Sequence, residues 1–200
     1  MPKQKASKPL RVMLVDDRID RREMLDIALQ NIDCALVACT TSDSDLLSAV
    51  KTCDPDVILV DIEAPGRDIL ESLETVHSTV PRPMVMFSQD DNNQTIRRAT
   101  QAGVSAYVVD GLQISRVRPI IDAAVARFQH FSLLETELKQ ARNQLAERKI
   151  IDKAKRIVMR RQDVSEEVAY KSMRKLAMDS NKKLSEVAQR VIAAEKLLGK

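Results

Sequence analysis

The chain lacks a long apolar segment. No run of about 18 or more apolar residues is present, as a membrane-spanning helix would require. The opening residues MPKQKASKP are basic, but the apolar stretch that follows them is too short for an export signal. We therefore expect a cytoplasmic protein with no membrane association.

Cysteine and histidine are also scarce. The chain has three cysteines, Cys34, Cys39 and Cys53, without C-x-x-C spacing, and only two histidines to accompany them. An odd number of dispersed cysteines argues against a disulfide framework and against a zinc site. The pattern predicts that the cysteines are small, buried apolar side chains.

The net charge of +3 hides an asymmetry between two parts of the chain. Residues 1–113 contain 12 Lys and Arg against 18 Asp and Glu, a net charge of −6, whereas residues 114–200 contain 20 against 11, a net charge of +9. An acidic half joined to a basic half indicates a control module attached to a polyanion binder. The alternative is that lysine-rich helix surfaces only confer solubility.

Up to Gly111 the sequence alternates short β-branched apolar runs with amphipathic stretches, a pattern typical of βα units around a parallel sheet. The predicted strands are Leu10 to Val15, Ala35 to Cys39, Val57 to Val60, Met84 to Phe87 and Ala106 to Val109. The predicted helices are Ile19 to Gln30, Asp45 to Cys53, Ile69 to Ser78 and Gln94 to Gln101. We expect a flexible basic tail over residues 1–8 and a doubly wound α/β domain over residues 9–113.

After Gly111 no glycine occurs until Gly199, and apolar residues keep helical spacing. This predicts a long helix from near Ser115 past Arg160, with residues 114–147 acting as a helical linker. A short heptad seam lies on it, formed by Phe131, Leu134, Leu138, Ala141 and Leu145. The seam is typical of a coiled-coil homodimer, although a helix packed on its own domain would also explain it.

Two breaks divide the remaining residues, at Gln162-Asp163 and at Asp179-Ser180-Asn181. Ser165 followed by two glutamates has the form of a helix N-cap. The last helix has an apolar stripe that consists of Leu184, Val187, Ala188, Val191 and Ile192. We therefore expect a small three-helix all-α domain over residues 148–200.

Acidic residues follow three of the predicted strands: Asp16 and Asp17, then Asp61, then Asp110. The carboxyl ends of parallel strands meet at one edge of the sheet, so these carboxylates converge. Like charges gathered there favour a bound cation, and a hard divalent ion such as Mg²⁺ takes carboxylate oxygens. Asp16, Asp17 and Asp61 are the candidate ligands, whereas solvated acids that cap strand ends are the alternative.

These acids belong to a set of motifs that resembles the receiver domains of response regulators, which have a flavodoxin-like fold. The motifs are Leu14-Val15-Asp16-Asp17, Val57-Ile58-Leu59-Val60-Asp61, Met86-Phe87-Ser88 and Gly103-Val104-Ser105-Ala106-Tyr107. The resemblance implies that Asp61 is the phosphoacceptor, that Asp16 and Asp17 bind Mg²⁺, that Ser88 contacts the phosphoryl group and that Tyr107 is an aromatic switch. Receivers carry a lysine where this chain has Asp110, and the added negative charge disfavours phosphorylation. We therefore favour a domain used mainly as a docking surface for a partner protein, and a phosphorylation-driven switch is the alternative.

Basic residues concentrate on the predicted C-terminal helices, where a stripe of cations can follow phosphates. Beyond Phe131 the only aromatic residue is Tyr170, which excludes the stacking platforms of RNA-recognition sheets and OB folds. Helix-turn-helix binding to DNA stays open, because its turn often but not always contains glycine. A solvated helix surface is the remaining alternative.

A second resemblance, over about residues 136–198, is to the ANTAR domain. Its motifs are Glu147-Arg148-Lys149-Ile150-Ile151, Ala154-Lys155, Val158-Met159, Ser165-Glu166-Glu167, Ala169-Tyr170, Arg174-Lys175-Leu176-Ala177-Met178 and Leu184-Ser185-Glu186-Val187-Ala188. With both domains, the chain resembles the AmiR/NasT-like antitermination regulators of bacterial nitrate and nitrite assimilation. Asp110 in place of lysine also fits that group, whereas Arg156 replaces a glycine that the family often has.

This resemblance implies that the C-terminal domain binds paired stem-loops in a leader mRNA, as a dimer, and so prevents transcription termination. A nitrate-sensing or nitrite-sensing regulatory protein, and a sensor kinase, are the implied partners. The candidate RNA contacts are Lys155, Arg156, Arg160, Arg174, Lys175, Lys182 and Lys183. A DNA-binding two-component response regulator is the second hypothesis. An enzyme is disfavoured, because no additional nucleophile and base pair or phosphate-binding glycine loop accompanies the acids.

Overall fold

The computed structural model of the protein describes residues 8–18 and 22–198, without the side chain of residue 198. Almost all of the predicted N-terminal tail and the predicted start of the first helix at Ile19 lie outside the described residues. The chain divides into two compact units, residues 1–132 and 133–200. The four-segment division expected from the sequence stays a prediction.

The first unit is built on a five-stranded parallel sheet. Its strands are β1 (Leu10–Asp16), β2 (Cys34–Thr40), β3 (Val57–Asp61), β4 (Met84–Ser88) and β5 (Ala106–Val109). They are ordered β2-β1-β3-β4-β5, the arrangement of a doubly wound, flavodoxin-like fold. The predicted fold is confirmed, and each strand lies within about one residue of its expected bounds.

Helices cover both faces of this sheet. They are α1 (Arg22–Gln30), α2 (Leu46–Cys53), α3 (Arg67–Thr79), α4 (Asn93–Gln101) and the start of α5 (Ile114–Gln162). Alternate strand residues point to opposite faces, so that Met13 and Ile58 pack with α2 and α3, while Leu14 and Leu59 pack with α1 and α5. The two apolar layers hold the sheet and fix the positions of its strand ends.

The cysteines belong to this unit as free thiols. Cys34 is buried, while Cys39 and Cys53 are half-buried. Burial raises the pKa of each thiol above its ordinary value of 9.0. The prediction of buried apolar side chains is confirmed for Cys34 and in part for the other two.

The second unit contains the rest of α5, with α6 (Glu166–Asp179) and α7 (Leu184–Leu198). Ser165 caps α6, since its side chain accepts a hydrogen bond from the backbone of Val168. The left-handed residues Asp163 and Asn181, with φ of 51° each, lie in the two breaks between helices. The core of this unit consists of Ala154, Val158, Ala169, Met173, Ala177, Val187 and Ala188, as the predicted three-helix arrangement requires.

No helix among the described residues is both long enough and apolar enough to span a membrane.

Candidate functional site

The carboxyl ends of β1, β3 and β4 bring three predicted site residues to one edge of the sheet. Asp16 and Asp61 are direct partners in the β1–β3 register, so the two carboxylates lie on neighbouring strands. Asp16 is 2% exposed, Asp61 is 3% exposed and Ser88 at the end of β4 is 1% exposed. Two adjacent buried carboxylates repel each other, and this arrangement therefore requires a compensating positive charge.

Part of that compensating charge comes from Arg18, a residue that the sequence reasoning did not include. Its Nη2 donates to Asp61 Oδ2 at 3.0 Å, and its Nε lies 3.7 Å from Asp16 Oδ1. Its Nη1 lies 3.4 Å from Glu63 Oε1. The signal available in the sequence was weak: an arginine directly follows Asp16-Asp17, but its partners Asp61 and Glu63 are far along the chain.

Asp17 does not join Asp16 and Asp61. Its side chain is exposed and accepts two hydrogen bonds from Ser42, from the backbone N–H at 2.8 Å and from the hydroxyl at 3.0 Å. Among the described residues, no group of three or more His, Cys, Asp or Glu side chains is arranged to hold a metal ion. The predicted three-aspartate ligand set is therefore not assembled in this conformation.

The donor chemistry of Asp16 and Asp61 nevertheless suits Mg²⁺. This ion prefers hard oxygen ligands and usually takes one or two carboxylates, with water completing the octahedron. Asp16 and Asp61 would hold it, and the ion would neutralise charge on the oxygens of a phosphoryl group. A bound ion would also replace the positive charge that Arg18 supplies to the two aspartates.

Ser88 and Tyr107, the two residues expected to contact the phosphoryl group and to act as the switch, lie together. The Ser88 hydroxyl donates to the Glu63 carbonyl at 2.8 Å and accepts from the Asp90 backbone N–H at 3.1 Å. The Tyr107 hydroxyl donates to the Asp90 carbonyl at 2.8 Å. Burial raises the pKa of the Tyr107 phenol above 10.0, an effect that a hydrogen bond with Ser88 partly offsets. Ser88, Asp90 and Tyr107 thus form one hydrogen-bonded group beside Asp61.

The position where receivers carry lysine is occupied by an exposed aspartate in an uncommon backbone conformation. Asp110 has φ of 81° and Gly111 has φ of 73°, so two consecutive residues are left-handed. The Gly111 N–H donates to the Ser88 carbonyl at 3.2 Å, which ties this turn to the end of β4. Aspartate and glycine tolerate the left-handed region better than most residues do.

A second group of candidate residues surrounds an open groove of about 410 Å³ between the end of α6 and the start of α7. Three predicted RNA contacts contribute to it, namely Arg174, Lys182 and Lys183, together with Asn181 and Met178. Lys175 and Arg156 are exposed elsewhere on α6 and α5. The turn that ends α6 is closed by the Lys182 N–H, which donates to the Ala177 carbonyl at 2.9 Å, and this bond fixes the start of the two-lysine segment.

The remaining two predicted contacts form ion pairs within the unit. The Lys155 ammonium lies 2.8 Å from Asp152 and 2.6 Å from Glu166, and its side chain is 16% exposed. These carboxylates raise the pKa of Lys155. Arg160 and Arg161 both pair with Glu195 of α7, and they lower the pKa of that carboxyl. Through these ion pairs, Lys155 connects α5 to α6 and Arg160 connects α5 to α7.

The comparisons with known proteins agree with this arrangement. Residues 12–122 match the response regulator receiver domain, and the chain belongs to that family. Residues 139–192 match the ANTAR domain, so the protein is a response regulator that joins a receiver to an ANTAR domain.

Over nearly its whole length the chain is similar to the transcriptional regulatory protein PdtaR of Mycobacterium tuberculosis. The two are 27% identical over 187 residues, which cover 94% of this chain and 91% of PdtaR. The nitrate regulatory protein of Klebsiella oxytoca is 38% identical over 64 residues, but these cover 32% of this chain and 16% of that protein. A CheY-like receiver domain from Methanospirillum hungatei shares the fold, with a TM-score of 0.52 and 18% identity over 60% of this chain and 97% of that one.

Proposed function

We propose that this protein is a transcription antiterminator whose C-terminal domain binds tandem stem-loops in a leader mRNA. The observation that carries the proposal is the groove lined by Arg174, Lys182 and Lys183, which lies within the unit that matches the ANTAR domain. Three basic side chains around one open groove suit the phosphate backbone of a folded RNA.

The start of α7 strengthens this argument. Lys183 is the residue before the first turn of α7, and its carbonyl accepts from the N–H groups of Glu186 and Val187. A lysine there has no oxygen to cap the helix, and its charge lies beside the positive end of the helix dipole. Lysine is therefore a poor N-cap for folding stability, whereas an anionic ligand would gain from the lysines and from the N–H groups that point out of a helix N-terminus.

The seam on α5 supports a homodimer. Every residue from 133 to 149 is exposed, including Leu134 (45%), Leu138 (52%) and Leu145 (61%). Regularly spaced exposed leucines at heptad positions fit a second copy of the same helix, and a dimer would present two groove surfaces to two stem-loops.

The receiver domain would control the availability of the RNA-binding domain. Partner docking is the proposed main input, with phosphorylation of Asp61 by a sensor kinase as a second input. The partner would be a nitrate-sensing or nitrite-sensing regulatory protein, a proposal supported by the family resemblance and by the short match to the Klebsiella oxytoca protein. All of these events would occur in the cytoplasm.

Binding to duplex DNA is the competing function, because a small helical domain with exposed cations could also enter a major groove. Titrations of the full-length protein at physiological salt distinguish the two. The probes are a tandem stem-loop leader RNA, a scrambled RNA and a duplex DNA of the leader sequence. We expect a clear preference for the tandem stem-loops; equal binding to all three probes, or preference for the duplex, would contradict antitermination.

Variants test the assigned surface in the same assay. Arg174→Gln/Lys182→Gln removes two cations from the groove, and we expect RNA affinity to fall about tenfold or more. Lys139→Gln/Arg142→Gln removes the same charge from exposed positions of α5 outside the groove and serves as the control. Equal losses in both variants would show that only net charge matters.

A further inference from the structure

Arg18 lies beside the two carboxylates that a divalent cation would use. Its guanidinium contacts Asp61 Oδ2 at 3.0 Å and lies 3.7 Å from Asp16 Oδ1. These oxygens belong to the two buried carboxylates that suit Mg²⁺. An ion held by both aspartates would compete with the guanidinium for the lone pairs of Asp61 Oδ2 and for the space beside Asp16 Oδ1.

The position of Arg18 is determined locally. The backbone N–H of Arg18 donates to Asp16 Oδ1 at 2.9 Å. The backbone of Arg18 is thus bonded to the same carboxylate that its side chain approaches. A third contact, with Glu63 Oε1 at 3.4 Å, holds the far side of the guanidinium. Together these contacts hold the guanidinium beside the two aspartates, against the rotamer entropy that a free arginine side chain would have.

The Arg18 side chain can also move away from the two aspartates. It is 41% exposed, and Glu63 is 69% exposed, so Arg18 can move into solvent without opening the core. Asp16 and Asp61 are buried on the strand ends and stay in place. The site can therefore exchange one cation for another while the sheet remains intact.

We propose that Arg18 is a built-in counter-cation that a divalent metal must displace from Asp16 and Asp61. This proposal rests on the magnesium site assigned above, and it adds a residue that sets the metal affinity of that site. Arg18 stabilises the metal-free site because it offsets the negative charge of Asp16 and Asp61. Mg²⁺ therefore binds more weakly than it would to the two carboxylates alone. Loading of the site, and with it phosphorylation of Asp61, begins with the release of Arg18.

The test measures metal binding directly: the full-length protein is titrated with Mn²⁺, and electron paramagnetic resonance measures the free and bound ion. Arg18→Gln removes the charge and keeps the side chain polar, while Arg67→Gln removes an arginine that pairs with Glu71 on the surface of α3. We expect Arg18→Gln to bind Mn²⁺ about tenfold more tightly, the scale of a lost hydrogen bond between charged groups. Arg67→Gln should bind like the wild-type protein.

Thermal unfolding gives a second readout that does not depend on the first. Without metal, Arg18→Gln should melt below the wild-type protein, because the two aspartates lose a counter-charge. Millimolar Mg²⁺ should raise its melting temperature more than that of the wild-type protein, through mass action on the folded state. Unchanged or weaker Mn²⁺ binding by a folded Arg18→Gln variant would overturn the proposal.

A double variant separates the proposal from the site on which it rests. In Arg18→Gln/Asp61→Asn the tight Mn²⁺ binding should disappear, since one of the two carboxylates is gone. Tight binding that survives in this double variant would place the metal elsewhere and overturn both assignments. RNA binding by the C-terminal domain is measured separately and does not depend on either outcome.

Discussion

Ser42 holds the carboxylate of Asp17 by two hydrogen bonds, at 2.8 Å and 3.0 Å, and thereby keeps it away from Asp61. We expect Ser42→Ala to remove the bond from the hydroxyl and to lower the free energy of unfolding by about 1 kcal/mol. The backbone bond at 2.8 Å remains, but the carboxylate of Asp17 is held less firmly and turns towards Asp16 at a lower cost. Mn²⁺ affinity should therefore rise, by up to about fivefold, the equivalent of that energy. Chemical denaturation and metal titration measure the two effects.

The control is Ser44→Ala in the same loop. Ser44 bonds to the Thr41 hydroxyl at 3.0 Å and has no bond to Asp17 among the described contacts, so its loss should leave metal affinity unchanged. If Ser42→Ala destabilised the protein without any gain in affinity, Asp17 would be a structural residue of the loop and not a metal ligand.

A substitution at Lys183 should raise the stability of the helical unit and lower its affinity for RNA. Lys183→Ser places an oxygen at the N-cap of α7 and should stabilise the helical unit by about 1 kcal/mol. It also removes one phosphate contact, which should lower RNA affinity and reduce the slope of log affinity against log salt by about one. Thermal melts and RNA titrations at several salt concentrations would show both effects. A more stable variant with full RNA affinity and an unchanged salt slope would exclude Lys183 from the interface.

The ion pairs of Glu195 should make the stability of the C-terminal unit depend on pH. The hydrogen bond from Arg161, helped by Arg160, lowers the pKa of this carboxyl below its ordinary value of 4.5. A lowered folded-state pKa contributes stability that is complete above pH 4.5 and is lost as the pH falls through the folded-state value. The protection factors of the α7 amides, which correct for the intrinsic pH dependence of hydrogen exchange, should therefore fall below pH 4.5 in the full-length protein.

The variants Glu195→Gln and Arg160→Gln/Arg161→Gln isolate this ion pair. Each should exchange faster than the wild-type protein at pH 6, and the difference should narrow in acid because protonation has already broken the wild-type pair. A constant difference across this range would mean that packing, and not charge, holds α7 at this point.

Leu138 tests the homodimer. Leu138→Lys puts a charge in the middle of the seam, and we expect it to shift the protein from dimer to monomer in sedimentation equilibrium. Since Leu138 is 52% exposed, the fold and thermal stability of the monomer should change little. Gln140→Lys adds the same charge on the opposite side of α5 and should leave the dimer intact. A wild-type chain that stays monomeric with and without RNA would contradict the dimer.

The sheet and its helices could be predicted because their signals are local. The run from Val57 to Val60 is apolar at every position, as is typical of a strand that is buried on both faces of a parallel sheet. The edge at which Asp16, Asp61 and Ser88 meet follows from parallel topology alone. Site residues at strand ends were therefore predictable from periodicity together with the direction of the chain.

The side-chain partners could not be predicted in the same way. Whether Asp17 faces Asp61 or Ser42 depends on a rotamer in a loop, and the contact between Arg18 and Asp61 joins residues 43 positions apart. Lys155 and Arg160 carry the charge expected of RNA contacts, but their pairing with Glu166 and Glu195 depends on how three helices pack. Helical spacing shows which residues share a face, not which residue on another helix they meet.

The left-handed backbone at Asp110 has a consequence for the evolutionary reversibility of this site. With φ of 81°, the position suits aspartate, asparagine or glycine, and lysine in the same conformation costs about 1 kcal/mol or more. A mutation that restored the lysine would have to reshape the turn that Gly111 ties to Ser88 as well as reverse the charge. The gain of a lysine at this position therefore requires several coordinated changes, which makes the aspartate difficult to exchange for lysine in a single step.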